Sequence, residues 1–405
     1  MQTLQGATES AARYLELTRS TLLTAAADKG LENVVACSSA ISTIDGTTLL
    51  YRGHTIEELA TSATFEEVVY LLWFGDLPTS PQLSGFRAQL QANVKLPEEA
   101  RRWLSVMPSN SHPMDYMATV VAALALHDTE ANQIRRSATL NQALRLTACL
   151  GTIIGAYQRI RHGQRPLAPD PEHSIAWNLL RGITGEAPTS GQERAVDICL
   201  ILHADHELNA STFAARVTAS TESGLYSSVL SAVGALKGGL HGGANSAVIK
   251  MLREIGAVHR VEPYLNDAFD RRAKIMGFGH RVYKEGDPRA RILRAMSERM
   301  APEGGESDLF RISTCIEELM MERKGLIANV DFYSATVYDA LGIPDDLFTC
   351  VFAASRVAGW SAHVLEQYEN NRIYRPRAQY IGKPAMRASR PRSRSQSGPS
   401  TDWRR

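Results

Sequence analysis

Lys274–Arg291 reads KIMGFGHRVYKEGDPRAR, and the rest of the chain is organised around this stretch. Gly279 sets off His280, two cations (Arg281 and Lys284) follow closely, and a helix begins before the stretch ends. Asp287 followed by Pro288 is a helix start: a carboxylate at the N-cap, then a residue whose missing N–H costs nothing at the first helical position. Arg289 then falls in the first turn, where the helix dipole is already positive and a cation is misplaced. Such a residue needs an anion to hold. A glycine-rich connector with a solvated basic face fits the same residues, and the Gly277-x-Gly279 pair lacks the third glycine of a dinucleotide-binding turn.

Working outward, 405 residues are ample for a large core and suggest two or three domains. Apolar residues at 44% and charged residues at 21% describe a soluble globular protein. The net charge is +1, but from Lys383 on there are seven Lys/Arg against the single acid Asp402, so the body is mildly acidic. That balance makes no general case for nucleic acid. Apolar runs long enough to approach a membrane span are broken by Arg145 and Arg159, by Lys237, or by Arg356. The five cysteines (Cys37, Cys149, Cys199, Cys315, Cys350) are odd in number and set mostly in apolar runs. Free buried thiols in a reducing compartment, the cytoplasm, are expected. Residues 1–28 form an extension, helical over Ala11–Ala27, without the apolar run and cleavage site of a signal.

Between Val34 and Gly53, Ile41, Ile44, Leu49 and Tyr51 flank Asp45-Gly46, a type I′ hairpin signal. Thr64 with Glu67 three residues on is a capping box, and Gly75 ends that helix. Helical periodicity then runs through about 81–93, 97–107, 112–128, 135–162, 174–182, 189–217 and 222–236, with a proline-rich loop at 163–173. The chain reads as mainly α, with one short N-terminal β-hairpin. Beyond Gly382 an Arg/Ser/Pro-rich tail has almost nothing to bury and reads as disordered.

Four further stretches carry chemistry. In LHADHELNASTFAARV, His203 and His206 are three apart and share a face of the expected helix. They could form half a metal site, but HExxH is absent and no second ligand pair supports it; a histidine hydrogen-bonded inside a bundle fits better. In GGLHGGAN, glycines on both sides of His241 let backbone approach a ligand, and Asn245 is placed to cap the next helix, unless this is simply a turn. Asp331 in NVDFYSATVY is either an N-cap or a base. Arg356 lies in LFTCVFAASRVAGWSA, apolar on every face, with no acid within one turn. A guanidinium buried there costs several kcal/mol unless paired, so it holds either a bound carboxylate or a distant acid. Arg375 follows in RIYRPRAQYIG, as a ligand or as part of a basic loop.

Three histidines (His206, His241, His280), one carboxylate (Asp331) and three arginines (Arg289, Arg356, Arg375) suit proton abstraction beside a carbonyl on a multi-carboxylate partner. No serine or cysteine with an adjacent base stands out. These motifs, in this order and spacing, resemble the citrate synthase family over roughly Gly30 to Gly382, closest to its compact dimeric bacterial and archaeal members. The resemblance implies a helical homodimer with a large domain (29–241 and 343–382) and a small one (242–342) around a cleft. It implies acetyl-CoA and oxaloacetate as substrates and no permanently bound cofactor or metal. By position it makes Asp331 the general base, His241 the partner of the thioester oxygen, and His280 the partner of the oxaloacetate ketone. His206, Arg289, Arg356 and, from the other subunit, Arg375 would hold the oxaloacetate carboxylates. Ile275, Gly277 and Gly279 would meet the coenzyme A adenine, and Lys284 a phosphate. The implied activity is citrate synthesis, an acyl transfer in which the acyl group becomes alkyl; 2-methylcitrate synthesis from propionyl-CoA and a non-catalytic helical interaction protein are the alternatives. Leu240, Val330 and Phe332 are expected to wall the acyl group. Gly239 and Ala328 stand where the family usually has proline.

Overall fold

Thr64 Oγ1 accepts from Glu67 N, the Glu67 side chain closes back on the Thr64 backbone, and Gly75 ends the Phe65–Phe74 helix at φ 101°. The sequence signals for that start and stop are thus met in full. The computed structural model describes residues 29–31, 34–279, 283, 286–301, 308–378 and 380–383. The expected N-terminal helix, His280, Lys284 and the tail beyond Lys383 lie outside these residues. Among those described, sixteen α-helices and one small antiparallel sheet make the fold mainly α. Helices Ser80–Asn93, Glu98–Val106, Pro113–Leu126, Arg136–Arg161, Ile175–Thr184 and Leu225–Leu236 fall within a few residues of their expected bounds.

Three local expectations are corrected. The helix expected over 189–217 is two, Ser190–His203 and Ala210–Ala219. His206 lies in the loop between them and shares no helix face with His203. Asn245 is not a cap, because Gly243 precedes the Ala244–Ile255 helix and the Asn245 side chain only reaches Ser246 N, at 2.8 Å. In the hairpin, β1 (Ser42–Asp45) pairs with β2 (Thr48–Tyr51) through the two-residue loop Gly46-Thr47. Positive φ occurs there at Gly46 alone (59°), the pattern of a type II′ rather than a type I′ turn. A short third strand, β3 (His54–Thr55), adds to β2.

Residues 39–374 form one compact unit. At its centre the Phe348–Glu369 helix is buried on nearly every face from Phe348 to Leu365. It packs on the Arg136–Arg161, Ala210–Ala219, Leu225–Leu236, Phe65–Phe74 and Ser190–His203 helices. A second packed group joins the Pro288–Met300, Val330–Ala340 and Ala244–Ile255 helices. The described residues up to Ser38 and from Arg375 on belong to a separate unit; among them Lys29–Leu31 makes one 3₁₀ turn, and Arg375 is exposed in an irregular stretch. No helix among the described residues is long and apolar enough to cross a membrane.

Candidate active site

The Ser190–His203 helix stops where the chemistry begins. His203 Nδ1 lies 2.8 Å from Cys199 O, so this nitrogen carries the proton, while Nε2 is buried without a partner. Burial, with Arg289 and Arg356 nearby, pulls its pKa down to about 3. The following loop carries His206, buried, with Nε2 3.3 Å from Tyr283 Oη. Arg356 reaches the same place from the central helix. Its Nε donates to His203 O at 2.6 Å, and its guanidinium lies 4.7 Å from the Phe352 ring centre. Nη1 is buried and unpartnered, and Arg356 forms no ion pair among the described residues. Burial outweighs the attraction of Asp205 and Tyr51 and lowers its pKa to about 10. Of the two partners foreseen for Arg356, the distant acid is therefore not paired with it among the described residues.

Arg289 does have its anion, and it is Asp287. Nε and Nη2 donate to the two carboxylate oxygens at 3.0 and 2.9 Å, with both side chains almost wholly buried. The same carboxylate caps Arg289 N at 3.0 Å and accepts from Val330 N at 3.1 Å. One carboxylate thus ties the start of the Pro288–Met300 helix to the start of the Val330–Ala340 helix. The latter is capped by Asn329, whose Oδ1 accepts from Asp331 N at 3.0 Å. Asp331 is not the cap, so its side chain is available for chemistry. Its Oδ1 is buried without a partner. Burial raises its pKa to about 6 against the pull of Arg289, with Asp287 adding to the rise and Arg356 opposing it.

The glycine stretch is sewn to that same helix start. Asn329 N donates to Gly277 O at 2.9 Å, Gly279 N to Ile327 O at 2.9 Å, and Asn329 Nδ2 to Gly279 O at 3.0 Å. Gly277 sits at φ 84°, where a Cβ would come within 2.8 Å of Phe332. Both the conformation and the close approach require glycine.

His241 completes the set. Ser211 N donates to His241 Nε2 at 3.3 Å, and Ser211 Oγ lies 2.9 Å from the same nitrogen. A backbone N–H can only donate, so Nε2 is the acceptor and Nδ1–H is the donor this ring offers. Ser211 is in turn fixed by Trp360 Nε1, 3.1 Å from its Oγ. Burial, reinforced by Arg356, lowers the His241 pKa to about 4, so the ring is neutral near pH 7. Arg289, Arg356 and Asp331 thus act electrostatically on one another and Arg356 also on His241, while His206 meets Tyr283, which Arg289 in turn influences. Leu240 is 97% exposed and walls nothing in this chain, while Phe332 turns to Phe278, ring centres 4.6 Å apart. Two cavities elsewhere, about 360 Å³ beside Asp197 and about 870 Å³ beside Arg165, include none of these residues. The buried, unpartnered polar atoms, rather than cavity size, place the chemistry.

A neutral histidine donor, a carboxylate of raised pKa and a buried arginine with a free edge suit the class of enzymes that remove a proton beside a carbonyl while holding an anionic partner. Comparison with known proteins names it further. The family model described as "Citrate synthase, C-terminal domain" matches residues 30–377. Citrate synthase 2 of Bacillus subtilis is 48% identical over 357 residues, 88% of this chain and 96% of that protein. A 2-methylcitrate synthase of Shewanella oneidensis is 41% identical over 356 residues, 87% of this chain and 94% of that one. The solved ternary complex of Thermoplasma acidophilum citrate synthase with carboxymethyl coenzyme A and oxaloacetate superposes with a TM-score of 0.84 at 35% identity, covering 90% of this chain and 98% of that one. The chain belongs to the citrate synthase family.

Sequence reasoning passed over Asp205, Ser211 and His363, read His203 only as half a metal site or as a hydrogen-bonded bundle histidine, and saw in Asp287 only a cap. The signal for Asp205 was present, since a charge directly beside His206 in an apolar context needs a partner as much as Arg356 does.

Proposed function

We propose that the chain condenses acetyl-CoA with oxaloacetate and water to give citrate and coenzyme A, the first step of the tricarboxylic acid cycle, in the cytoplasm. The observation that carries this reading is the combination of Asp331, with a buried, unpartnered Oδ1 and a raised pKa, and a neutral His241 held as an Nδ1–H donor, both within the influence of Arg356. Asp331 takes a proton from the carbon next to the thioester. That proton is too weakly acidic for a carboxylate alone, so His241 donates to the oxygen as charge develops on it. The new carbon nucleophile attacks the oxaloacetate ketone, whose oxygen His280 stabilises. Water then cleaves the resulting citryl thioester. His206, Arg289, Arg356 and the partner subunit's Arg375 hold the two carboxylates. Ile275, Gly277 and Gly279 meet the adenine and Lys284 a phosphate of coenzyme A. The large domain (29–241, 343–382) carries His206, His241 and Arg356, and the small one (242–342) carries Arg289 and Asp331, so closure of one on the other assembles the site and excludes water.

Thiol release with saturating oxaloacetate tests the reading and separates it from 2-methylcitrate synthesis. One methylene separates acetyl-CoA from propionyl-CoA, and a hydrophobic pocket distinguishes such a pair by about 10–200-fold. The ratio of kcat/KM is expected to favour acetyl-CoA; a ratio favouring propionyl-CoA would reassign the chain, and no thiol release with either would remove the activity.

The shared dimeric site has its own test. Arg375→Ala and Asp331→Asn homodimers are each expected to be nearly inactive. Heterodimers formed from the two are expected to regain about half the activity of one native dimer, because one of their two sites carries both native residues. Demonstrated heterodimers with no activity would refute the cross-subunit role of Arg375.

A further inference from the structure

The residues on both sides of His206 are gripped from two directions by groups that the condensation does not use. Ser42, at the start of β1, donates from Oγ to Asp205 Oδ2 at 2.5 Å and accepts from Glu207 N at 2.8 Å. Its cross-strand partner Tyr51 accepts from Asp205 N at 3.0 Å and donates to Asp205 O at 2.7 Å. Glu207 stands at φ 51°, a left-handed conformation that a non-glycine residue keeps only when its surroundings hold it there.

The second grip comes from the central helix. His363 Nε2 lies 3.2 Å from Asp205 Oδ2, and its Nδ1 lies 2.9 Å from Arg216 Nη1. A guanidinium only donates, so Nδ1 accepts and Nε2–H donates to Asp205. Arg216 pairs with Glu366 at 2.6 Å, and Glu366 accepts from Ala40 N at 2.8 Å, two residues before Ser42. The bonds thus close a ring: strand β1, Asp205, His363, Arg216, Glu366, and back to the entrance of β1. Gly359 lets the helix come this close, because a Cβ there would lie 2.4 Å from both Ala204 O and Asp205 Oδ1. Ser42, Asp205, Arg216 and His363 are all buried.

We propose that Ser42, Asp205 and His363 are positioning residues for the keto acid, fixing the backbone at 205–207 so that His206 meets the substrate carboxylate. The proposal rests on the reading of the chain as a citrate synthase. A buried polar ring is a weak way to stabilise a fold, since apolar replacements of such groups are often neutral or better. Its value lies in specifying one geometry, and here that geometry belongs to the residues flanking His206. The helix that carries His363 also carries Arg356 seven residues earlier, about two turns away and so on the same side. Both expected carboxylate ligands are therefore referenced to one helix.

Steady-state kinetics on the full chain, varying oxaloacetate and acetyl-CoA separately, test this. Ser42→Ala removes the donor to Asp205 and the acceptor for Glu207 N. The KM for oxaloacetate is expected to rise about tenfold, the loss of a hydrogen bond to a charged group. The KM for acetyl-CoA and kcat should change little. His363→Leu should show the same split, while His363→Gln, which keeps a donor for Asp205 and an acceptor for Arg216, should stay near the native values. If His363→Leu does not fold, the contrast between Ser42→Ala and His363→Gln decides. An unchanged oxaloacetate KM in Ser42→Ala, or a His363→Gln variant that loses kcat at unchanged KM, would overturn the proposal while leaving the activity in place. A native chain that releases no thiol would instead overturn the reading beneath it.

Discussion

Replacing Asp331 with asparagine is expected to lower kcat by about 10²–10⁴-fold, the usual contribution of a positioned general base, and to leave oxaloacetate binding intact. The amide keeps the shape and cannot take the proton. The carboxylate it replaces has no other structural duty among the described residues: Asn329 caps the helix, and Asp331 Oδ1 is buried without a partner. Stopped-flow thiol release and oxaloacetate binding by calorimetry measure the two halves separately. A variant that turns over at the native rate would take Asp331 out of the mechanism.

The same substitution makes a second, independent demand. Burial places the folded-state pKa of Asp331 at about 6, above its ordinary 3.8. Between those values the folded state binds more protons than the unfolded one, so stability from this group falls as pH rises through 6 and stays reduced above it. A shift of this size corresponds to roughly 3 kcal/mol. Asp331→Asn should therefore be more stable than the native chain at pH 7–8, and the gap should close as pH falls below about 4, where both states of the native chain carry the proton. Native kcat/KM should also decline as pH drops below about 6, since the free enzyme then holds its base protonated. A stability gap that widens at acid pH would mean that the carboxylate is stabilised by its surroundings, contrary to its burial.

Much of this site is legible in the amino-acid sequence because single residues violate their local context. Arg356 in an apolar helix and Arg289 in a first helical turn each demand an explanation from sequence alone. The answers differ in kind. Arg289 is satisfied by a residue two positions away, a spacing that does not share a helix face. The pairing works only because Asp287 stands just outside the helix at φ −86°, ψ 116°, where its carboxylate can reach both the backbone and the guanidinium. The break after His203 was hidden for a different reason. Ala204 to Leu208 contains nothing that forbids a helix, and what holds the loop open is Tyr51 and Ser42, more than 150 residues earlier. Tertiary partners overrode local periodicity there. Likewise the tautomer of His241 depends on Ser211, 30 residues away, and no spacing rule links the two. The helix frame was therefore legible nearly throughout, while the orientation of the histidines was set by contacts that only the fold creates.

Arg356→Met is expected to lower kcat/KM for oxaloacetate by about 30- to several-thousand-fold, the range for removing one partner of a buried charge pair. It should also make the empty protein more stable. Arg356 is buried at 1% exposure, holds one backbone carbonyl through Nε, and leaves Nη1 without a partner. Its pKa is lowered to about 10, so the folded state disfavours the charge. By linkage a depressed basic group is a cost at every pH below that value, and nothing near neutrality relieves it. Methionine fills a similar volume without the charge. Against that stands the lost bond to His203 O, about 1–3 kcal/mol for a charged donor, while a lone buried cation costs several kcal/mol. The net gain should be about 1–2 kcal/mol in the absence of ligand. Saturating oxaloacetate reverses the order, because a ligand that binds only the folded state adds about 2.7 kcal/mol at a hundredfold excess over its Kd, and the variant has lost most of that affinity. Thermal unfolding with and without oxaloacetate reads both effects in one experiment. A methionine variant less stable than the native chain when both are empty would show that the Arg356 guanidinium is already satisfied in the free protein, and that its edge does not wait for a substrate carboxylate.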